Sequence, residues 1–384
     1  MPQQGAVPPR LAQNLSQAHP GIHPLSAFTH RTQKFQPLPT PLGDPPYHYD
    51  LETALPGITD SAAKQKKLVF HTVGDVGGIK NPDFQITVAD AMSADLGRSP
   101  AADRPSFFYL LGDVVYFNGE HDEYYSQFYE PYHHYTAPIL SIPGNHDGDP
   151  IDASQKSLDG WVRYFMWNDP RDVDPASHDA PRAPLSLPNV YYTLNCPYAV
   201  IVGLYTNVPE HGTVDSIQQQ WFTNELSTAP KNKALIVALH HPVYSFDKFH
   251  SGSSRMADVV QHAINDSRRV PNLVLTGHVH DYQRIEKQVA DGMPATPFLV
   301  AGHGGYHNMH KLNAPVGFKD PVTNAKLIFG DDKRHGYVTL TVTKDKITGS
   351  ATAAESDKGV TPDIDKFEYP AAPQILPDGV MVNL

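Results

Sequence analysis

Five short apolar runs in this chain are each followed, within a few residues, by a turn residue and then by polar side chains. The runs are near-continuous and lack the spacing of an amphipathic helix, which is typical of strands buried on both faces. They are residues 68–70, 107–111, 139–142, 235–239 and 273–275. Buried strands of this kind need covering layers, so the runs predict an α/β (α+β) fold.

The polar side chains that follow these runs are all possible metal ligands. In layered α/β folds, ligands collect beyond the carboxyl ends of the strands. The donors are carboxylates, an amide, a phenol and imidazoles, with no thiolate, which favours hard or intermediate cations over a thiolate zinc or iron–sulfur site. They are Asp75, Asp113, Tyr116, Asn145, His240, His278 and His280. We therefore predict a site for two metal ions.

Tyr116 narrows the choice of metal. A phenol has an ordinary pKa of about 10. Only a strongly charged ion would hold it as a phenolate near neutral pH. Ferric iron fits this requirement.

The motifs also resemble those of a known family. In chain order they are Asp-x-Gly, Gly-Asp-x-x-Tyr, Gly-Asn-His-Asp, Val-x-x-His and Gly-His-x-His. This set resembles the ligand motifs of purple acid phosphatases, a branch of the calcineurin-like metallophosphoesterases. In the wider superfamily the first motif is usually Asp-x-His. Here Gly77 stands in place of that histidine and Tyr116 is present, as in the purple acid phosphatase branch. The resemblance covers roughly residues 68–343, and the chain is similar to the small single-domain type.

The resemblance implies a fold and a set of ligand roles. The fold is a four-layer αββα sandwich. The metals are a ferric ion and a divalent iron, zinc or manganese ion. By this resemblance, the ferric ion is bound by Asp75, Tyr116 and His280. The divalent ion is bound by Asn145, His240 and His278. Asp113 bridges the two ions.

The same resemblance implies the reaction. The expected activity is hydrolysis of phosphate esters, as in an acid phosphatase, with metal-bound hydroxide as the nucleophile. His146 matches a histidine that points at the phosphate. His250 matches one that contacts the phosphate or protonates the leaving oxygen, work that suits an imidazole.

Two other functions stay open at this point. One is a calcineurin-like phosphodiesterase that uses manganese or zinc, with Tyr116 a spectator. The other is a non-catalytic interaction protein on the same fold, with the proline-rich N-terminal segment as its functional part. Metal content distinguishes the first alternative, and turnover of an aryl phosphate distinguishes the second.

The chain contains 21 histidines, so most of them cannot be ligands. We expect His241, next to a predicted ligand, to be structural. His303, in a glycine-rich turn, either lines the substrate cleft or belongs only to the turn. The remaining histidines without motif context are predicted to be surface or loop residues: His133, His134, His307, His310 and His335.

Proline distribution divides the chain into three parts. Residues 1–65 predict a proline-rich N-terminal arm, residues 66–355 the metallophosphoesterase catalytic domain, and residues 356–384 an extended C-terminal tail. Within the middle part, two hairpins are predicted, at residues 191–205 and 337–353. Asp215 and Ser254 are predicted to cap the helices that follow them.

Charge and composition limit the partners. Thirty basic and 41 acidic residues give a formal charge of −11, a poor balance for binding nucleic acid. A small phosphoester is the expected substrate. Cys196 is the only cysteine, so no intrachain disulfide is possible. Neither a secretory leader nor a long apolar segment is visible, so we expect a cytoplasmic protein without a membrane partner, with secretion not excluded. The oligomeric state and the natural substrate, whether monoester or diester, are left open.

Overall fold

The computed structural model describes residues 34–98, 100–167 and 182–384. Two large mixed sheets form its centre. The eight-stranded sheet contains, in spatial order, β1 (His48–Asp50), β5 (Tyr192–Asn195), β6 (Ala199–Gly203), β7 (Ala234–Ala238), β9 (Leu273–Thr276), β11 (Thr296–Ala301), β10 (Tyr282–Lys287) and β12 (Lys326–Asp331). The six-stranded sheet contains β15 (Gly359–Pro370), β14 (Lys346–Glu355), β13 (Gly336–Val342), β2 (Leu68–Val73), β3 (Phe108–Leu110) and β4 (Ile139–Ser141).

Helices and a short third sheet complete the described residues. The helices are α1 (Leu51–Ala54), α2 (Ile58–Gln65), α3 (Pro82–Asp95), α4 (Asn145–Gly148), α5 (Asp159–Phe165), α6 (Ser216–Thr228) and α7 (Ser254–Ser267). Single turns of 3-10 helix cover Ala101–Asp103 and His121–Glu123, and a π-helical turn covers Tyr125–Tyr129. The third sheet pairs β8 (Arg269–Val270) with β16 (Gln374–Ile375).

All five predicted buried strands are present, as β2, β3, β4, β7 and β9. The first three run parallel to one another in the six-stranded sheet. The last two are parallel neighbours in the eight-stranded sheet. Both predicted hairpins form as well, as β5–β6 and β13–β14. The carboxyl ends of each parallel set therefore lie at one edge of its sheet.

The two large sheets pack face to face with helices outside them. Gly203 in β6 faces the other sheet, and a Cβ there would lie 2.5 Å from the Tyr109 hydroxyl and 2.7 Å from Ile142 Cγ2. Outside the six-stranded sheet, α3 packs on β13 and β14, while α6 packs on β6 and against α7. The predicted α/β fold and its four-layer αββα sandwich are thus confirmed.

The helix caps follow the sequence closely. Asp215 caps α6 by accepting a hydrogen bond from the Gln218 backbone N–H (2.7 Å), as expected. The cap of α7 is Ser253, whose extended backbone lets its Oγ accept from the Met256 N–H (3.1 Å). The prediction of Ser254 as this cap was therefore wrong by one residue.

The chain ends contribute more structure than an arm and a tail. Residues 48–65, assigned to the arm, form β1, α1 and α2, and β1 pairs with β5. Residues 359–370, assigned to the tail, form the twelve-residue edge strand β15. The proline content had predicted an extended tail without pairing. An edge strand tolerates proline, however, so Pro362 is compatible with the pairing of β15. Residues 1–33 of the predicted arm lie outside the described residues. None of the helices in the described ranges has the length and apolar character needed to cross a membrane.

Candidate metal centre

The seven predicted ligands come from the loops that begin at five strand ends. Asp75 follows β2, and Asp113 and Tyr116 follow β3. Asn145 is the first residue of α4, just after β4. The imidazoles come from the other sheet, with His240 after β7 and both His278 and His280 after β9. Because the two sheets are packed face to face, the two sets of strand ends meet at one edge of the sandwich.

Three of these side chains sit on a left-handed backbone. Asp75, Asp113 and His278 have φ angles of 58°, 53° and 69°. Such values are uncommon for residues with a Cβ, and they concentrate at functional sites. Gly112, with φ of 93°, precedes Asp113, and a Cβ there would lie 2.6 Å from the Gly144 backbone nitrogen. Both the backbone conformation and the close approach therefore favour glycine at position 112.

Three predicted ferric ligands lie together. The Tyr116 hydroxyl is 3.2 Å from Asp75 Oδ1 and 3.3 Å from His280 Nε2. His280 Nε2 is in turn 3.5 Å from Asp75 Oδ1. All three residues are buried. A phenol oxygen, a carboxylate oxygen and an imidazole nitrogen thus converge on one small volume.

The three predicted divalent-ion ligands form a second group around the Asn145 amide oxygen. His278 Nδ1 lies 2.8 Å from Asn145 Oδ1, and His240 Nε2 lies 3.0 Å from it. These residues are also buried. The second group therefore offers one amide oxygen and two imidazole nitrogens.

Asp113 lies between the two groups. Its Oδ2 is 3.3 Å from His240 Nε2, and it has no hydrogen-bond partner among the described residues although it is buried. Ligand atoms of Asp75, Asp113 and His240 all lie within 4.8 Å of one another. The seven predicted ligands are thus brought together, with Asp113 where a bridging carboxylate would be expected.

The outer hydrogen bonds of two imidazoles show that the donor set fits a cation. His240 Nδ1 is 2.8 Å from the Leu111 carbonyl, and His280 Nδ1 is 3.0 Å from the Asn308 carbonyl. A carbonyl only accepts, so Nδ1 carries a hydrogen, and in the neutral imidazole, which is the form that binds a metal, Nε2 has the lone pair. For His240 that lone pair faces the oxygens of Asn145 and Asp113. Hydrogen-bond acceptors that face one another in a buried space, with no donor between them, are stabilised by a bound cation.

Burial and neighbouring charges set the protonation of two predicted ligands, Tyr116 and His240. Burial, followed by the charges of Asp113 and Asp75, raises the pKa of the Tyr116 phenol well above its ordinary value. The phenol therefore stays protonated unless a strong cation displaces the proton. Burial lowers the pKa of His240, but Asp113 outweighs it and raises this pKa to about 9. Metal binding at His240 is accordingly expected to release a proton.

The two predicted catalytic histidines border the ligand cluster. His146 donates from its backbone N–H to Asp113 Oδ1 (2.9 Å), and its Nδ1 is 2.7 Å from the Phe117 carbonyl. The ring of His250 lies 4.8 Å from that of His278, centre to centre. Both side chains are partly exposed, so each is reachable from solvent beside the cluster.

Two histidines predicted as surface or loop residues lie in loops but are buried. His310 is only 3% exposed, and its ring lies 4.4 Å from that of His280. Its backbone N–H donates to the His280 carbonyl (2.9 Å), which draws the loop over the site. His335 is buried with Nε2 2.9 Å from the Tyr306 carbonyl. Long-range contacts that no local motif records explain the burial of both.

The other histidines differ in burial. His133 and His134 are exposed and His307 is partly exposed, as predicted. His241 is buried with Nδ1 2.7 Å from Thr206 Oγ1. His303 is fully buried in its glycine-rich turn, with its ring 5.3 Å from that of Tyr282.

Sequence reasoning assigned no role to three residues that shape the site. Asp147 Oδ1 accepts from the backbone N–H groups of Val114 and Val115, and its Oδ2 accepts from that of Gly144. This carboxylate joins the loops after β3 and β4, and its place in the Gly-Asn-His-Asp motif was a usable signal. Glu210 and His310, which adjoin His250, lie in loops without any motif.

The family assignment follows from comparison with known proteins. The model of the calcineurin-like phosphoesterase family matches residues 68–282, more than half of the chain. The chain belongs to the calcineurin-like phosphoesterase family. This stretch contains every ligand of the candidate centre. Family membership places the chain among the metallophosphoesterases and confirms the recognition made from the motifs.

Curated relatives of this phosphoesterase include plant enzymes. The chain is 27% identical over 273 residues to purple acid phosphatase 21 of Arabidopsis thaliana, covering 65% of this chain and 56% of that protein. It is 24% identical over 286 residues to probable purple acid phosphatase 20 of the same plant, covering 68% and 61%. The chain thus spans less than two thirds of the length of these relatives.

Solved structures show the same fold. Purple acid phosphatase PPD1 from yellow lupin (Lupinus luteus) seeds superposes with a TM-score of 0.56 at 18% identity, over 79% of this chain and 53% of that one. GAP50, described as the anchor in the inner membrane complex of Plasmodium, superposes with a TM-score of 0.56 at 15% identity, over 79% and 89%. At these identities the likeness concerns the fold alone.

Proposed function

We propose that this phosphoesterase hydrolyses phosphate esters, in the manner of an acid phosphatase, at a centre of one ferric and one divalent ion. The observation that carries the proposal is the convergence of Tyr116 with Asp75 and His280 at 3.2–3.5 Å. A buried phenol whose pKa is raised by its surroundings contributes as a ligand only to a strongly charged ion.

The two groups of side chains divide the ligands between the ions. Asp75, Tyr116 and His280 would hold the ferric ion. The second group consists of the Asn145 amide oxygen and the imidazoles of His240 and His278, and it would hold a divalent iron, zinc or manganese ion. Asp113, whose buried Oδ2 has no hydrogen-bond partner among the described residues, would bridge them.

When bound, two such metal ions polarise a phosphoryl group and activate water for in-line displacement. The chain's own residues do the remaining work. His146 and His250 lie at the exposed side of the cluster, where they would contact the phosphate and the leaving oxygen. Hydrogen bonding at those points contributes through orientation and proton transfer.

The proposed substrate is a small phosphoester and not a nucleic acid. The formal charge of −11 opposes a long polyanion. Attraction of a single phosphate depends mainly on the local charge of the bound ions. Surface charges farther away than the Debye length of about 10 Å are largely screened by salt and affect this attraction little.

Metal analysis and a visible spectrum test this proposal together. The purified protein should contain about one iron and one further metal per chain and should be purple from phenolate-to-iron charge transfer. Tyr116→Phe should abolish the colour. Tyr306→Phe is the matched control, because the Tyr306 ring stacks on Tyr116 at 4.0 Å without belonging to the ligand cluster, and this variant should stay purple. Colourless, iron-free protein with full activity would overturn the ferric assignment in favour of a manganese or zinc phosphodiesterase.

A further inference from the structure

Glu210 brings a carboxylate to the histidine side of the cluster. It lies in the loop between β6 and α6. Its Oε1 is 2.6 Å from His250 Nδ1 and 3.9 Å from His278 Nε2. The carboxylate is 30% exposed and the His250 imidazole 24% exposed. One carboxylate thus faces a predicted catalytic histidine and a predicted metal ligand at the same time.

The shorter distance distinguishes a hydrogen bond from a shared cation. Two ligands at about 2.0–2.2 Å from one tetrahedral ion lie roughly 3.3 Å apart. The separation of 2.6 Å between Glu210 Oε1 and His250 Nδ1 is too short for that arrangement and corresponds to a short hydrogen bond between an imidazole and a carboxylate. His250 therefore donates from Nδ1 to Glu210, which leaves its Nε2 for another partner.

Both partners are fixed by their own loops. Asp247 Oδ2 accepts from the backbone N–H groups of Phe249 (3.0 Å) and His250 (2.6 Å), which closes a tight turn. The loop of Glu210 is tied to the start of α7, because the Ser253 hydroxyl donates to the His211 carbonyl. The contact between Glu210 and His250 therefore joins two anchored loops across the open side of the site.

His278 gives Glu210 a second role. Its Nδ1 faces Asn145 Oδ1 within the cluster, so its Nε2 points outward, toward Glu210. A ligating histidine usually directs its outer nitrogen to a carboxylate, carbonyl or water, which fixes the ring and raises its basicity as a ligand. Glu210 is a carboxylate on that side, and its Oε1, at 3.9 Å, is close enough for an electrostatic contact but too far for a direct hydrogen bond.

We propose that Glu210 is a positioning residue that orients His250 toward the leaving oxygen of the substrate and supports His278 as a metal ligand. This inference rests on the proposed function, because it needs both a metal at His278 and a phosphoester beside His250. Removal of such an outer carboxylate typically costs 10–100-fold in metal affinity or in activity.

The test uses the full chain, zinc or manganese added alone, and 4-nitrophenyl phosphate as the substrate. Glu210→Ala should lower kcat 10–100-fold with KM changed less than threefold, and it should weaken binding of one metal equivalent about tenfold. Glu210→Gln keeps an acceptor oxygen at the same position and should recover part of the lost kcat. The control is Glu368→Ala, which removes an exposed carboxylate that pairs with Lys346 and should behave like the wild type. Unchanged thermal midpoints would show that all variants fold.

A double-mutant cycle shows whether Glu210 acts through His250. If it does, Glu210→Ala should cost little further kcat in a His250→Ala background, because the group to be oriented is gone. Losses that multiply in the double variant, or a Glu210→Ala protein with wild-type kcat and metal affinity, would overturn the inference. A wild-type protein with three metal equivalents and a Glu210→Ala protein with two would also overturn it, since Glu210 would then be a ligand. Failure of the wild type to bind metal would instead refute the proposed function.

Discussion

The floor and the rim of the candidate site are held in place by different means. The floor is the set of seven predicted ligands, and the rim is the set Glu210, Phe249, His250 and His310. Floor residues are at most 7% exposed and lie in loops that begin at strand ends of both sheets. Rim residues extend from loops, and Phe249 is 66% exposed. The floor therefore inherits the rigidity of the sandwich, whereas the rim depends on contacts between loops.

Hydrogen bonds within the floor connect its loops to one another. Asp75 Oδ2 accepts from the backbone N–H of His278 (2.8 Å), which joins the loop after β2 to the loop after β9. Gln127 clamps the backbone of Tyr116 through both its N–H (2.9 Å) and its carbonyl (2.7 Å). Every such bond lies in a buried place, where loss of one partner is costly. Changes in the floor should therefore affect chemistry and stability together.

The rim is held in place by contacts between loops. The Lys248 N–H donates to the Lys311 carbonyl (2.8 Å), and the ring of His310 stacks against that of His250 at 5.0 Å. These contacts hold the loops of His250 and His310 together without reaching a strand interior. Changes in the rim should therefore alter substrate preference or rate with little effect on folding.

The largest effect is expected from a change at the bridging position of the floor. Asp113→Asn keeps the side-chain volume but removes the charge that faces both groups of ligands, so kcat/KM for 4-nitrophenyl phosphate should fall at least about 1,000-fold, or about 4 kcal/mol of transition-state stabilisation. Steady-state kinetics and metal analysis measure this. Asp291→Asn, at an exposed turn, is the control. Wild-type turnover no higher than that of Asp113→Asn would instead favour the non-catalytic interaction protein.

The next largest effect concerns the carboxylate that joins two floor loops. Asp147→Ala leaves three buried backbone N–H groups without their acceptor, so the free energy of unfolding should fall by about 3 kcal/mol. Urea denaturation measures the change. Asp122→Ala removes a carboxylate whose side chain is 95% exposed and should stay within about 0.5 kcal/mol of the wild type. Equal stability of the two variants would contradict the floor's dependence on Asp147.

The same contrast explains which parts were predictable from the sequence. Strands and floor residues have local signals, because an apolar run, a glycine and a donor such as Asp113 are adjacent in the chain. Glu210 in the rim has no such signal, because it meets His250 from 40 positions away. The edge strand β15 was missed for a related reason, since its prolines and charges are compatible with pairing on one side only.

A smaller effect is expected behind the floor, at His303. Burial lowers the pKa of this imidazole to about 3, whereas in the unfolded chain it titrates near 6.5. As the pH falls below about 6.5 the unfolded state takes up a proton that the folded state does not, so stability decreases by up to about 1.4 kcal/mol per pH unit until about pH 3. At neutral pH and above this contribution is fully retained.

His303→Phe should therefore flatten the dependence of the unfolding free energy on pH between 6.5 and 4. Urea denaturation with a chelator present measures the slope without a contribution from metal release. His134→Phe, at an exposed position, should keep the wild-type slope. A slope unchanged by His303→Phe would mean that this imidazole is protonated in the folded protein.

The smallest effect is expected at the exposed end of the rim. The Phe249 ring lies 5.6 Å from that of His310 and extends into solvent beside His250. An aromatic leaving group could stack there, and such contacts contribute about 0.5–1.5 kcal/mol. Phe249→Ala should therefore raise KM for 4-nitrophenyl phosphate about two- to tenfold and leave KM for glycerol phosphate unchanged. Val322→Ala, at a side chain that is 86% exposed, should change neither. Equal increases for both substrates would mean that Phe249 shapes the site and not the choice of leaving group, and the distinction between floor and rim would then be weaker than the loop contacts indicate.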